Sequence, residues 1–402
     1  MQPEEALNLI LDRINPVDYE VLNYNEAMGR VLLDEVTSKL NVPPYNNSAM
    51  DGFSFCYDDL KTQNKLYIKG TIKAGDDVAG LYLKKGECFR IMTGAAMPEN
   101  ADTVVEFERT KVIDNIVEIL EKVQKGSNVR LKGEDICKSE SLKELAFQLL
   151  SPAKIARLVS TGNFIFKVNR KIRVAIISTG NELKYPCEAI NDNTIIESNG
   201  EYIKCTLDKM GIDALYKGIS SDDCDSIKSV LNASTNCDAI ITIGGISKGD
   251  FDVVKLYGEK IGIRWLFNKV EQKPGKPFSF GIFQDIPLFS FPGNPLSSAF
   301  CLFYYFLPAM RKMMSLKSPY NMCIKAHLSE NYFKKNNRNI FINVSIAFDN
   351  GSVVVTPYKR QNSNIINALI YSNGYAKIPA DMSGEIGRGT ILDVYIAGLE
   401  NF

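Results

Sequence analysis

Histidine is almost missing from this chain: one, His327, stands among 402 residues. Ser-His-Asp, Cys-His and multi-histidine metal chemistry are thereby nearly removed. His327 lies in an alternating run, Cys323-Ile-Lys-Ala-His-Leu328, and reads as a solvated strand residue. Cysteine supplies no framework either. The nine, at Cys56, Cys88, Cys137, Cys187, Cys205, Cys224, Cys237, Cys301 and Cys323, include no CxxC pair, and their number is odd. Neither a disulfide scaffold nor a zinc site follows, and a reducing compartment fits best. Net charge is missing too, since 47 Lys and Arg balance 47 Asp and Glu. Nothing global favours nucleic acid or an anionic membrane, so any working positive charge must be local. The longest apolar stretch, Ala299 to Met310, is too short for a bilayer and contains Pro308. The acidic start, Met1-Gln-Pro-Glu-Glu5, has no apolar segment of the signal-peptide kind. These absences predict a soluble, cytoplasmic protein. Its chemistry has to rest on carboxylates, lysines, hydroxyls and a bound cation.

What is present is punctuation. Ile243-Gly-Gly-Ile-Ser-Lys-Gly-Asp-Phe-Asp252, Lys273-Pro-Gly-Lys-Pro277 and Phe291-Pro-Gly-Asn-Pro-Leu-Ser297 each end an apolar run, and Ser178-Thr-Gly-Asn-Glu-Leu183 follows Val174-Ala-Ile-Ile177. Glycine at a strand exit lets backbone N–H groups approach a ligand, and a helix starting there adds partial positive charge. A single such loop is equally a plain strand-to-helix turn. Four together, with lysines and carboxylates, have the pattern of a phosphorylated-ligand site.

The length predicts two to four domains. Pro3 opens an amphipathic helix with Ala6, Leu9, Ile10 and Ile14 on one face, and Asn25 can cap a second carrying Ala27, Val31 and Leu32. Short β-type runs, Lys65–Lys69, Cys88–Met92, Thr103–Phe107 and Ile116–Leu120, then alternate with Gly/Asp turns. Ser151-Pro152 restarts a helix, and Thr161-Gly162 stops it. From Arg170 the pattern is strand-helix-strand, with strands at Ile172–Ile177, Asp213–Ile219 and Asp238–Ile243, and helices at Asn199–Met210, Asp222–Ala233 (Ser221 as cap) and Asp252–Lys260. The final stretch returns to alternating strands, with Asp349-Asn-Gly351 as a hairpin turn. The expected fold is multidomain α/β. A discontinuous helical domain (1–41 and 138–168) carries an inserted β-rich domain (42–137). An open, mainly parallel α/β sheet domain (169–316) follows, then a small β-barrel-like domain (317–402). Ligands of open α/β sheets sit at strand C-terminal ends, where the four loops fall.

The Gly244-Gly245 loop, with Ser247, Gly249, Asp250 and Asp252, is neither a Walker A loop nor GxGxxG. Its glycines suit a phosphate or a pterin, and its carboxylates suit a divalent cation bridging to phosphate. Simple capping of the next helix by Asp250 or Asp252 is the other reading. Lys269, Lys273 and Lys276 fall within eight residues beside stiffening prolines. They read as an anion site or as a surface basic cluster. Glu182, just past a buried strand, would be costly if buried without a donor or a cation. Asn46-Asn-Ser-Ala-Met-Asp-Gly-Phe53, Arg90-Ile-Met-Thr-Gly-Ala95 and Arg130-Leu-Lys-Gly-Glu-Asp135 read, each alone, as turns.

Taken together, these segments resemble the molybdopterin molybdotransferase family, the MoeA proteins and the E domain of gephyrin. The matching residues are Pro43-Pro44, Asn47-Ser-Ala-Met-Asp-Gly-Phe53, Arg90-Ile-Met-Thr-Gly-Ala95, Gly133-Glu-Asp135, Ser178-Thr-Gly-Asn-Glu-Leu183, Ser198-Asn199, Gly244 to Asp252, Lys273-Pro-Gly-Lys-Pro277 and Pro292-Gly-Asn-Pro295. They run in family order from residue 43 to 295. Pterin-adenylylating and nucleotide-deamidase proteins share the sheet-domain pieces, and the SAMDG segment separates this family from them.

The resemblance implies insertion of molybdenum from molybdate into an adenylylated molybdopterin, with release of AMP and help from Mg²⁺. It implies a homodimer with a composite site, to which Asp51 and Thr93 come from the other subunit, and an adenylylating enzyme as partner. On this reading Gly180, Ser198, Asn199, Gly244, Gly245, Ser247, Gly249, Pro292, Gly293, Asn294 and Pro295 hold pterin and phosphate. Lys273, with Lys276 and Lys269, neutralises molybdate and phosphate oxygens. Glu182 and Asp252, with Asp250, place the cation. Arg338 and Ser363 match short pieces of the family's C-terminal pattern. Asn181 and Glu197 stand where the family more often has Asp, and both Asp222 and Asp223 fit a further acidic position. A pterin carrier or scaffold, and a pterin adenylyltransferase, are the competing functions.

Overall fold

The structure, a computed structural model, describes residues 1–245 and 253–397, apart from the side chains of Val253 and Lys255. Its central sheet has the strand order Asp213–Ser220, Arg173–Thr179, Ala239–Ile243, Ile286–Phe291, Ser279–Phe283, Ile263–Phe267. The first four run parallel, and the last two complete the edge as antiparallel neighbours. Side chains alternate across it. Val174 and Ile176 enter one core with Ile203, Leu207 and Phe300, whereas Ala175 and Ile177 enter another with Ile227, Leu231 and Val254. Helices therefore cover both faces, which is why the inner strands read as unbroken apolar runs. The chain enters mid-sheet at Arg173–Thr179, moves outward to Asp213–Ser220, then crosses to Ala239–Ile243 on the other side. Where that order reverses, connections leave two adjacent strand ends in opposite directions and open a crevice.

Aromatic rings fill the larger core. Phe278 stacks on Tyr305 at 4.5 Å, Phe300 on Tyr304 at 5.3 Å, and Phe289 meets Phe306 edge-on at 4.8 Å. The helix Pro3–Arg13 buries Ala6, Leu7, Ile10 and Leu11 in this same core, so the first helix packs on the sheet domain.

The second N-terminal helix does not form. Gly29 has φ +76°, and Val31 and Leu32 make isolated bridges to Leu149 and Val168. The amide of Val31 donates to the side chain of Asn169 at 2.7 Å, and the Arg30 guanidinium donates to the Asn169 carbonyl at 2.6 Å. Extended pairing satisfies the backbone groups that a helix would have used, and three apolar positions are too few to outweigh it. Tyr19–Asn23 likewise pairs antiparallel with Ile165–Asn169, joining the two separated stretches. The helix Pro152–Ser160 forms where Ser151-Pro152 predicts it.

Between those stretches lies a six-stranded sheet ordered Thr103–Glu106, Gly52–Phe55, Glu87–Ile91, Lys65–Ile72, Ile116–Ile119, Thr110–Ile113. At the other end of the chain Asn339–Asp349, Ser352–Pro357, Cys323–Leu328, Ile391–Ile396 and Gly374–Ile378 pair in turn, and the last pairs back with the first. This closed five-stranded barrel contains the expected hairpin, with φ +46° at Asn350 and +79° at Gly351, the signature of a type I′ turn. His327 is exposed on its strand, with Nδ1 3.2 Å from the Gly389 carbonyl.

Candidate active site at the sheet switch point

A cleft of about 610 Å³ opens where the strands Arg173–Thr179 and Ala239–Ile243 end. Its floor is backbone. Gly244 turns with φ +92°, and a Cβ there would lie 2.6 Å from the Thr179 carbonyl oxygen, so only glycine lets the two strand ends approach this closely. The Gly244 amide donates to the Phe291 carbonyl at 2.9 Å, and the Thr179 hydroxyl donates to the Ile243 carbonyl at 3.1 Å. Three strand ends are thus fixed together. Across the floor the Asn199 side-chain amide donates to the Gly293 carbonyl at 2.7 Å, tying the start of the helix Asn199–Lys209 to the Pro292–Pro295 turn. Gly180, Glu182, Ser198, Asn199, Gly244, Gly245, Pro292, Gly293, Asn294 and Pro295 all line the cleft.

Two carboxylates differ from the simplest sequence expectation. Glu182 is exposed and folds back over Gly180, where an added Cβ would meet its oxygens at 2.7 and 2.9 Å. The cost of a buried acid at this position does not arise. Glu197 is the buried one, 3% exposed, accepting from the Gly200 amide at 2.7 Å and from the Tyr216 hydroxyl at 3.4 Å. It precedes the Ser198 cap of the helix Asn199–Lys209, and its carboxylate reaches the first-turn amide of Gly200, where the macrodipole favours an anion. Burial pushes the Tyr216 phenol well above its ordinary range, which keeps it a neutral donor.

The lysine loop stands beside this cleft and not in its wall. Pro277 reaches the lining, whereas Lys269, Lys273 and Lys276 do not. A buried brace supports it: the Tyr305 hydroxyl donates to Gln272, whose side-chain amide donates to the Gly275 carbonyl at 3.3 Å. Gln272–Lys273 pairs parallel with Asn339–Ile340 of the barrel, so this loop and the barrel share backbone hydrogen bonds. Glu271 lies 3.5 Å from Lys269 and 3.8 Å from the Arg338 guanidinium, bringing the two predicted cations around one acid. Ser363 contributes its carbonyl, which accepts from the Leu296 amide at 3.0 Å, and Asn364 beside it lines the cleft.

Asp51 and Thr93 meet each other but not the cleft. The Thr93 amide and hydroxyl donate to one Asp51 oxygen at 2.7 and 2.8 Å. The amide donor chiefly, with the hydroxyl and the nearby Arg90 charge, holds the Asp51 carboxyl below its ordinary value, so it stays ionised. Ser247, Gly249, Asp250 and Asp252 lie outside the described residues. Among the described residues no group of three or more His, Cys, Asp or Glu is arranged to hold a metal.

Comparison with known proteins decides the family. Residues 1–162 match the MoeA N-terminal region (domain I and II), 175–312 a probable molybdopterin binding domain, and 325–397 the MoeA C-terminal region (domain IV). The molybdopterin molybdenumtransferase of Staphylococcus epidermidis is 30% identical over 405 residues, covering 99% of this chain and 96% of that protein. The chain belongs to the MoeA family. A Staphylococcus aureus relative of the same name is 29% identical over 391 residues, covering 95% of this chain and 92% of its own. A MoeA crystal structure from Pyrococcus horikoshii, 27% identical, matches with a TM-score of 0.81 over 98% of this chain and 99% of that one.

Within this MoeA chain the choice between Asp222 and Asp223 follows from geometry. Asp223 caps the helix Cys224–Asn232, accepting from the Ser226 amide at 2.8 Å, and so takes the role expected of Ser221. Asp222 lines the cleft and exchanges two 3.2 Å hydrogen bonds with Asn181: each backbone amide donates to the other's side chain. Asn181 is therefore a clamp on Asp222. Sequence reasoning missed Thr179 and Asn364 as cleft-lining residues. Thr179 sits inside a quoted motif, but Asn364 is on a barrel loop with no local pattern to mark it.

Proposed function

We propose that this chain is a molybdopterin molybdenumtransferase, inserting molybdenum from molybdate into adenylylated molybdopterin with release of AMP in molybdenum cofactor biosynthesis. The observation that carries the proposal is the switch-point cleft, walled by the Gly180, Gly244 and Gly293 turns in a chain related end to end to molybdopterin molybdenumtransferases. Backbone amides of glycine turns and the start of the helix Asn199–Lys209 suit a pyrophosphate linkage. Ser198, Asn199 and the Pro292–Pro295 turn are the proposed pterin and phosphate contacts, with Lys269, Lys273, Lys276, Arg338 and Ser363 at the mouth. Electrostatic positioning of this kind supplies much of a phosphoryl-group rate enhancement.

Magnesium fits the carboxylates present. It is commonly held by one or two carboxylates plus substrate phosphates and keeps several waters. Glu182 and Asp222, both on the cleft wall, would hold it, and it would neutralise charge on the phosphoanhydride. Asp51, which stays ionised, and its donor Thr93 lie away from the cleft of their own chain and are proposed to serve the cleft of a second subunit. We place the protein in the cytoplasm on its cysteine usage and take an adenylylating enzyme as its supplier.

The test is AMP release from adenylylated molybdopterin by the purified protein with magnesium, with and without molybdate. Molybdate-dependent release is the expected result. Tight pterin binding with no release would replace the transferase with a carrier, and ATP-dependent activity surviving removal of residues 1–165 would replace it with an adenylyltransferase.

A further inference from the structure

One wall of the cleft is an excursion of the chain, residues 182–198, between the Gly180 corner and the helix Asn199–Lys209. Its ends pair as short parallel strands, Leu183–Lys184 with Ile195–Ile196, and Glu182, Leu183, Ile195 and Ile196 face the cleft. The Ile195 amide donates to the Glu182 carbonyl at 2.9 Å and the Glu197 amide to the Lys184 carbonyl at 2.8 Å. So small a pairing does not fix its own position against the sheet.

Tyr185 supplies an anchor. Its hydroxyl accepts from the Ile219 backbone amide at 2.9 Å. Ile219 belongs to Asp213–Ser220, the edge strand of the central sheet, which among the described residues has no strand neighbour on that side. Two irregularities build the socket. The pairing register slips between Ile176 and Ile177, which face Tyr216 and Gly218, leaving Lys217 as the extra residue. An edge bulge of this kind re-aims the backbone locally. Gly218 has φ +98°, and a Cβ there would stand 2.5 Å from the Tyr185 hydroxyl oxygen, so any larger residue would expel the phenol. A turn holds Tyr185 itself: its amide donates to the Glu188 carboxylate at 2.9 Å, and the Glu188 amide donates to its carbonyl at 3.1 Å.

We propose that Tyr185 is a positioning residue for the cleft, a latch that fixes the 182–198 wall to the sheet edge through Ile219 and Gly218 and so sets the geometry that the pterin substrate meets. This rests on the cleft being the substrate site. Tyr185 touches no substrate on this account, because it acts through the wall.

The experiment compares wild type, Tyr185→Phe, Gly218→Ala and the double variant. Hydrogen exchange on ligand-free protein should rise about tenfold for amides of 183–197 and for Ile219 in Tyr185→Phe, the effect of losing one hydrogen bond. Amides of Ala239–Ile243 should be unchanged. Gly218→Ala should loosen the same segment, and the double variant should be no looser than Gly218→Ala alone, because both changes break one contact. In turnover, KM for adenylylated molybdopterin should rise several-fold in Tyr185→Phe while kcat is kept. Unchanged exchange in the wall would overturn the latch, and a loosened wall with unchanged KM would overturn the positioning role. A wild-type protein with no turnover would sink the transferase reading alone, since the exchange measurement needs no substrate.

Discussion

Replacing Gly52 by alanine should cripple the inserted sheet, and the size of the effect follows from one contact. Gly52 is buried in the strand Gly52–Phe55, between Ile91 on one side and Glu106 on the other. An added Cβ would stand 1.9 Å from the Val105 carbonyl oxygen and 2.7 Å from its carbon, against a practical floor of 3.0 Å. The obstacle is backbone, so no rotamer change relieves it. One strand must move by more than about 1 Å, enough to break roughly two ladder hydrogen bonds at about 0.5–1.5 kcal/mol each. Overpacking adds about 1–3 kcal/mol, for a total near 2–6 kcal/mol. In a unit of about a hundred residues each kcal/mol lowers the melting temperature by roughly 4–8 °C. Calorimetry of Gly52→Ala should show a drop of at least 8 °C, and the Thr93 amide resonance should shift because the Asp51–Thr93 bond adjoins the displaced strand. A melting temperature within about 1 °C of wild type, with Thr93 unmoved, would refute the contact.

Other perturbations separate stability from chemistry. Tyr305→Phe keeps the stack on Phe278 but leaves the Gln272 oxygen buried without its donor, and denaturant titration should register a loss of about 1–3 kcal/mol. Lys273→Ala, at an exposed position, should leave folding intact and raise the molybdate concentration for half-maximal AMP release on the order of tenfold, about 1.4 kcal/mol. The depressed pKa of Asp51 fixes a pH window. The Asp51–Thr93 bonds are present above the ordinary carboxyl value of 3.8 and are lost only as pH falls through the lower folded value, so the Thr93 amide should titrate with a midpoint below 3.8. Finally, Asp51→Asn and Glu182→Gln should each abolish AMP release. Mixing the two unfolded proteins and refolding them together should restore part of it, and no recovery would rule out a site shared between subunits.

Legibility from sequence tracked how local the cause was. The strands around Val174, Ile240 and Phe289 are buried on both faces, and their apolar runs announce that directly. The Asp349-Asn-Gly351 hairpin is set by the backbone preferences of two residues. Residues 25–32 defeated the same reasoning because what draws Arg30 and Val31 out of a helix is Asn169, far along the chain. The barrel-like C-terminal domain was legible from its alternating strands, but not the pairing that closes it, which depends on Asn339–Asp349 meeting both Ser352–Pro357 and Gly374–Ile378. At the cleft, motif order located the corners, but only coordinates separate Asp222 in the wall from Asp223 at a helix cap.

Gly52 joins these levels. In the sequence Asp51-Gly52 reads as a turn, yet the glycine is a strand residue required by the neighbouring carbonyl, and the strict demand is steric. The residue before it is free of any such demand. Asp51 is exposed, and the side-chain bonds that hold its carboxylate come from Thr93, on the segment following Glu87–Ile91. Arg90 is drawn over the Phe107 ring at 4.7 Å, which keeps its charge close to that corner. An exposed carboxylate, fixed in direction and kept ionised, does nothing for the packing of its own sheet. Its own chain's cleft does not contain it. A group so oriented and so little used by the fold is what the proposed shared site requires, an ionised acid free to serve the cleft of a second copy.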